Sequence, residues 1–184
     1  MRLAPFVAST LLLVSPSVAF SQTPSDEGHV VEAALDMTFN RSFPYVRNWV
    51  VSEQTEPLPL GNAPSPDIAR ARSDYEVRNA ASSSLRSVQL PAKATAADLS
   101  PFARALGFDW PAFEERFGAG TWTARVSRPG FIDASHAAVR IDVWAREKTV
   151  PPATVVVFLT KQDDGSWHAV SGMLPAVSAN LPPS

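Results

Sequence analysis

The chain of 184 residues contains no cysteine. That excludes a disulfide framework, a thiolate metal site, a cysteine nucleophile and a lipoprotein anchor, whose lipid is carried on a cysteine. Histidine is scarce too. His29, His136 and His168 lie far apart, outside any HxH or HExxH spacing, so no local metal motif is formed. The eight glycines are never adjacent, which leaves no glycine-rich loop to cradle a phosphate. No serine sits in a G-x-S-x-G elbow. No cofactor motif is present. Charged residues make up 18% of the chain, against about 25% in an average soluble protein. With 16 basic and 18 acidic residues, the balance gives no bulk attraction for nucleic acid or anionic lipid.

One long uncharged apolar run is present, Leu3 to Phe20, preceded by Arg2. It ends in Ala19-Phe20-Ser21, small residues at the two positions that a signal peptidase reads before Gln22. Residues 1–21 therefore have the layout of a cleaved secretory signal peptide. Pro5 and Pro16 interrupt the run, which argues against a retained membrane anchor. Cleavage before Gln22 removes 21 of the 184 residues and leaves 163, enough for one domain with a real core. Residues 22–27 read as a tether, 28–174 as a single α+β domain, and 175–184 as a loose tail. The expected location is the periplasm or the medium, with no stable membrane anchor after cleavage.

Within the domain, apolar residues recur at three and four from Val30 to Phe39, predicting an amphipathic helix over 28–40 capped by Ser25 or Asp26. Residues 48–55 read as a strand. The stretch 56–66, EPLPLGNAPSP, reads as a loosely ordered loop. Asp67 opens a second helix, and Leu85, Val88 and Leu90 form an extended piece. Two short aromatic helices follow, one starting at Ser100-Pro101 and ending by Gly107, the next capped by Asp109 and ended by Gly118. Trp122, Ala124 and Val126 then alternate with polar residues, as do Val139, Ile141 and Val143. Such alternation predicts strands buried on one side only. Residues 154–170 close the domain as a hairpin turning at Asp164-Gly165, with apolar side chains on both faces of its first strand. The expected architecture is N-terminal helices packed on a C-terminal antiparallel sheet of about four strands, cystatin-like or cone-like by analogy.

Candidate chemistry is sparse. Asp133, Ser135 and His136 share one turn, where three triad roles rarely converge from so short a segment. The pairs Glu114-Glu115 and Asp163-Asp164 fall on a helix face and in the hairpin turn. One constellation stands apart. Arg125, Arg140 and Trp144 share the sheet face opposite Val126, Val139 and Ile141, Asp142 joins them, and Arg128 follows at the strand end. Arginines beside an aromatic ring can hold an anion or a sugar ring. The same face also reads as a solvated exterior, and Arg128 as a structural tie to backbone carbonyls or to Asp74 across the Pro129-Gly130 turn.

Four stretches recur together here: D-Y-E-V-R-N over Asp74–Asn79, Ser127-Arg128 with Phe131, the alternating strand Ala137–Val143, and Asp164-Gly165 with Trp167. In order and spacing the chain resembles an uncharacterised family of small exported bacterial proteins. It departs at residues 146–152, where many members carry a turn with Gly and Cys. The resemblance implies export and an α+β architecture, and no activity. Three functional expectations follow. The first is a non-catalytic envelope domain that binds a small molecule or a partner. The second is an envelope hydrolase using His136 or His168. The third is an accessory subunit of a protein complex.

Overall fold

A computed structural model describes residues 24–60, 66–105, 107–146 and 152–171. The signal-peptide segment and the C-terminal tail expected above lie outside the described residues. Among the described residues are three α-helices, α1 (Pro24–Asp36), α2 (Pro66–Arg78) and α3 (Trp110–Phe117). None is long and apolar enough to cross a membrane. The strands are β1 (Trp49–Ser52), β2 (Ala94–Ala97), β3 (Ala103–Arg104), β4 (Gly107–Phe108), β5 (Trp122–Val126), β6 (Gly130–Phe131), β7 (His136–Trp144), β8 (Ala153–Lys161) and β9 (Trp167–Ser171).

The fold is α+β around one mixed seven-stranded sheet, ordered β2-β1-β5-β7-β8-β9, with β6 beside β7. Within it β5, β7, β8 and β9 pair antiparallel in succession. The expectation of a purely antiparallel sheet is corrected by β1, which runs parallel to both β2 and β5. Parallel pairing carries no local turn signal, because the partners are joined by long crossovers. In β2 the sequence Ala-Thr-Ala-Ala also lacks the β-branched run of a typical strand, so its extended form is imposed by its neighbour.

One sheet face is apolar throughout. Trp49, Val51, Ala124, Val126, Val139, Ile141, Val143, Val155, Val157 and Leu159 meet Val30, Val31, Ala34 and Leu35 of α1, all buried. The helix starts earlier than expected and passes at Met37–Ser42 into a π-helical turn, which seats Phe39 flat on Trp49 with ring centroids 4.1 Å apart. Burying each large apolar side chain contributes about 1.5–3 kcal/mol, so this layer dominates the stability.

The other face is also covered, which corrects the prediction of one solvated side. Ala71 and Tyr75 of α2 pack on Ala138 and Val156. Phe102, Phe113 and neighbouring rings pack on Val50 and Trp144. Residues 57–60, read as loose loop, are held down: the Tyr75 hydroxyl donates to Leu58 O and an Arg140 guanidinium N–H donates to Pro59 O. Polar residues tolerate this burial because they satisfy one another. Arg140, 6% exposed, donates from Nε to Asp142 at 2.9 Å, and Thr154 donates to Asp142 at 2.8 Å. The hairpin strand β8 is interior, as its two-sided apolar pattern predicts.

The first aromatic helix expected at Ser100 is a single 3₁₀ turn over Ser100–Phe102, which runs into the short β3–β4 hairpin. Asp98 takes the Ser100 N–H and hydroxyl, closing a tight turn instead of starting a helix. The next helix follows its signals. Asp109 caps α3 by accepting from Ala112 N at 3.1 Å, and Gly118 ends it at φ +94°.

Candidate functional site

Because β1 is parallel to β2 and to β5, all three strands end on the same side of the sheet. The chain beyond their carboxyl ends builds a cleft of about 750 Å³. That is the end at which open parallel sheets carry ligands, and the size falls within the ~300–1,000 Å³ of small-molecule sites. Three backbone bonds fix the floor. Glu53 N donates to Ala97 O at 2.9 Å, Thr55 N to Ser83 O at 2.8 Å, and Glu56 N to Val126 O at 2.8 Å.

Arg125 and Trp144, two of the four residues singled out from the sequence, line this cleft together. The Arg125 guanidinium carbon lies 4.8 Å from the centre of the Trp144 ring. It pairs with Glu56 at 3.2 Å and approaches Asp142 at 3.9 Å. Burial pushes the Glu56 carboxyl above its ordinary value of 4.5, and the attraction of Arg125 does not offset it. Among the described residues five buried side-chain atoms have no hydrogen-bond partner: Arg125 Nε and the Trp144 indole nitrogen here, and Ser42 Oγ and the indole nitrogens of Trp49 and Trp167 elsewhere.

The other two candidates are committed to the protein itself. Arg140 spends Nε and both terminal nitrogens on Asp142, Thr154 and Pro59 O. It supports the site from behind, through the Asp142 carboxylate shared with Arg125. Arg128 grips Glu27 with Nε at 3.1 Å and with Nη2 at 2.8 Å, and donates to Arg78 O at 3.0 Å. It thus ties α1 to the end of α2, the tie to a carbonyl that the sequence suggests, with Glu27 in place of Asp74.

The histidines do not form a relay. At His136, Nδ1 takes both Asp133 oxygens at 2.9 Å and the Ser135 hydroxyl at 3.2 Å. A triad needs the carboxylate on one ring nitrogen and the nucleophile on the other. Here both crowd one nitrogen. Burial alone would raise the Asp133 pKa, but bonds from the Ser135 N–H, His136 and the Ser135 hydroxyl together hold it below the usual range. At His168, Nε2 meets Ser166 Oγ at 3.1 Å, and Asp164 bonds the serine instead of orienting the histidine. Among the described residues no group of three or more ligating side chains is placed to hold a metal.

Glu56, Glu53, Asp98, Arg104 and Phe108 line the cleft and carry no sequence signal. They come from two distant segments, residues 53–56 and 98–108, which the parallel pairing of β1 with β2 brings together. No protein family matches the chain, and no curated protein or solved structure matches it.

Proposed function

We propose that the chain is an exported, non-catalytic domain of the bacterial cell envelope that binds a small molecule in the Arg125–Trp144 cleft. The observation that carries this reading is a ligand-sized cleft lined by the stacked pair Arg125 and Trp144, with the guanidinium carbon 4.8 Å from the ring centre. Export rests on the signal-peptide layout of residues 1–21. Membership of the exported family that the motifs resemble belongs to the same proposal. Its support is that Asp74 and Asn79 of one motif bond the backbone of Phe131 and Arg128 in another, so the two stretches act as one unit. The cystatin-like or cone-like analogy is part of the same proposal, and its support is that α1 packs across β7, β8 and β9.

The test is a thermal-shift screen of the purified protein against sugars, anions, divalent metals and envelope metabolites. A ligand at a hundred times its Kd adds about 2.7 kcal/mol and raises Tm measurably. A shift that disappears in Trp144→Phe supports the reading. Silence across the panel directs the search to protein partners.

A further inference from the structure

We infer that the cleft takes the carboxylate of a small organic acid on the Arg125 guanidinium, in exchange for the Glu56 side chain that holds that place. This deepens the proposed binding function and rests on it. The argument starts from how firmly each arginine is held. Arg104 meets Asp109 at 2.6 Å, Arg128 meets Glu27 at 2.8 Å, and Arg140 meets Asp142 at 2.9 Å. Arg125 is held more loosely, by Glu56 at 3.2 Å and by Asp142 at 3.9 Å. A well-seated carboxylate closes on a guanidinium to about 2.7–2.9 Å, often through two parallel bonds, so Arg125 has interaction to gain from a better-placed partner. Its side chain is 23% exposed and that of Glu56 is 31% exposed, and both line the cleft, so an occupant meets both. The exchange leaves the backbone alone. The Glu56 N–H stays on Val126 O at 2.8 Å, and only the side chain swings aside.

Charge then separates the ligand classes. Arg125 and Arg140 face Glu56 and Asp142, two positive groups against two negative. A monocarboxylate that replaces Glu56 leaves that balance unchanged. A phosphate monoester brings about 1.5–2 negative charges and overshoots it, with Glu53 and Asp98 on the same wall to oppose the excess. A neutral ligand has no charge to give Arg125 for the one it loses. An ammonium group meets Arg125 as a like charge, and the wall carboxylates do not call for it: Glu53 faces Arg86, and Asp98 accepts the Ser100 N–H and hydroxyl. Arg104 does not compete for the acid, because Asp109 and the Pro101 and Ala103 carbonyls take it up. Leu99 and Phe108 supply apolar wall for the rest of the molecule. The internal carboxylate is also poorly settled. Burial pushes the Glu56 pKa up against the pull of Arg125, and the Asp142 charge adds to the rise. A proton on Glu56 removes the competitor, while Asp98, held below the usual range by the Ser100 N–H and then by its hydroxyl, keeps its charge at pH 5.

The experiment is titration calorimetry on the purified protein at pH 7 and pH 5. The probes are N-acetylglycine and N-acetylleucine, whose α-carboxyl groups titrate at about 3.3–3.7 and stay ionised at both pH values. Their neutral amides, inorganic phosphate and methylamine are the controls. Glu56→Gln removes the competing charge, and Arg125→Lys keeps the positive charge without the planar fork; each is first checked for an unchanged fold by circular dichroism. The expected result is that at least one acid binds and its amide does not. Binding tightens tenfold or more in Glu56→Gln at pH 7 and weakens tenfold or more in Arg125→Lys. The wild type binds more tightly at pH 5 than at pH 7, and Glu56→Gln loses that difference. Weaker binding in Glu56→Gln overturns the exchange, since Glu56 would then be part of the site. Acid binding unchanged in both variants overturns Arg125 as its place. Binding of an amide, phosphate or methylamine without the acids, lost in Arg125→Lys, overturns the carboxylate and leaves the binding cleft standing. Silence from every probe in both the wild type and Glu56→Gln overturns the carboxylate, and the wider ligand screen then decides the cleft.

Discussion

Asn79 pairs with the backbone of Arg128 as a neighbouring strand would. Its Nδ2 donates to Arg128 O at 3.0 Å, and its Oδ1 accepts from Arg128 N at 2.8 Å. One side chain thereby satisfies both polar groups of a residue that leaves the β5 ladder. Asn79 follows α2, and Arg128 sits in the turn toward β6, so the pair joins helix to sheet.

Replacing Asn79 by Ala leaves that N–H and C=O without their partners at a residue-79 site only 6% exposed. The expected loss is about 1–3 kcal/mol, read as a lower urea midpoint at unchanged slope. An unchanged midpoint would show that water replaces the amide at no cost.

Gly130 has no room for a side chain. A Cβ there would lie 2.5 Å from Tyr75 Cβ and 3.0 Å from Ala71 O. Gly130→Ala must push α2 off β6, at a cost of about 1–3 kcal/mol. Because the Tyr75 hydroxyl bonds Leu58 O, the shift should also free residues 57–60. Faster exchange of the Leu58 and Leu60 amides would report it, and protection equal to wild type would contradict the close packing.

The buried pair Arg140–Asp142 predicts non-additive mutants. Removing one partner leaves a buried charge alone, so Asp142→Leu should cost about 3–5 kcal/mol. Adding Arg140→Met should recover most of that loss. Urea unfolding of both singles and the double gives the coupling; simple additivity would mean the pair is solvated in practice.

Glu56 sets a pH dependence whose sign follows from its burial. Its folded pKa lies above the ordinary 4.5, so the folded state holds its proton more tightly than the unfolded chain. Its contribution is fully present below 4.5 and is lost as pH rises through the folded value. Glu56→Gln keeps a neutral group at every pH. The Tm of this variant minus that of wild type should therefore increase from pH 4 to pH 7. The aspartates act oppositely. Asp109, held low first by the Ala112 N–H and then by Arg104, stabilises above 3.8 and loses that contribution on acidification.

Export has its own readout. Expressed with residues 1–21 in a Gram-negative host, the chain should accumulate outside the cytoplasm with Gln22 as its first residue, as N-terminal sequencing would show. A cytoplasmic product beginning at Met1 or Arg2 would overturn the signal-peptide reading.

Much of the sheet was legible because antiparallel neighbours advertise themselves. Val139, Ile141 and Val143 alternate with Arg140 and Asp142, Asp164-Gly165 marks the hairpin, and Asp109 with Gly118 brackets α3. Arg125 and Trp144 were legible as a pair for the same reason, sharing a face by parity. Burial of Arg140 and Asp142 was not, since a charged residue reads as exposed until its partners are known. Glu56 was hidden in a proline-rich loop whose docking depends on Tyr75 and Arg140. The strand at Ala94–Ala97 has no pattern of its own; β1 and the long crossover to it are what make it a strand.

The position of β1 has a consequence for how the chain comes to exist. It lies between β2 and β5, so the strand at Trp49–Ser52 has no complete sheet around it until residue 126 has left the ribosome, more than two thirds of the way along the chain. Pairings this far apart in sequence are slow to close. The hairpin that completes the apolar face against α1 arrives later still. A nascent chain with its centre missing stays unfolded, and an unfolded chain is what a secretion channel can thread. The topology that assembles the cleft therefore also delays folding, which would suit the export proposed for the chain.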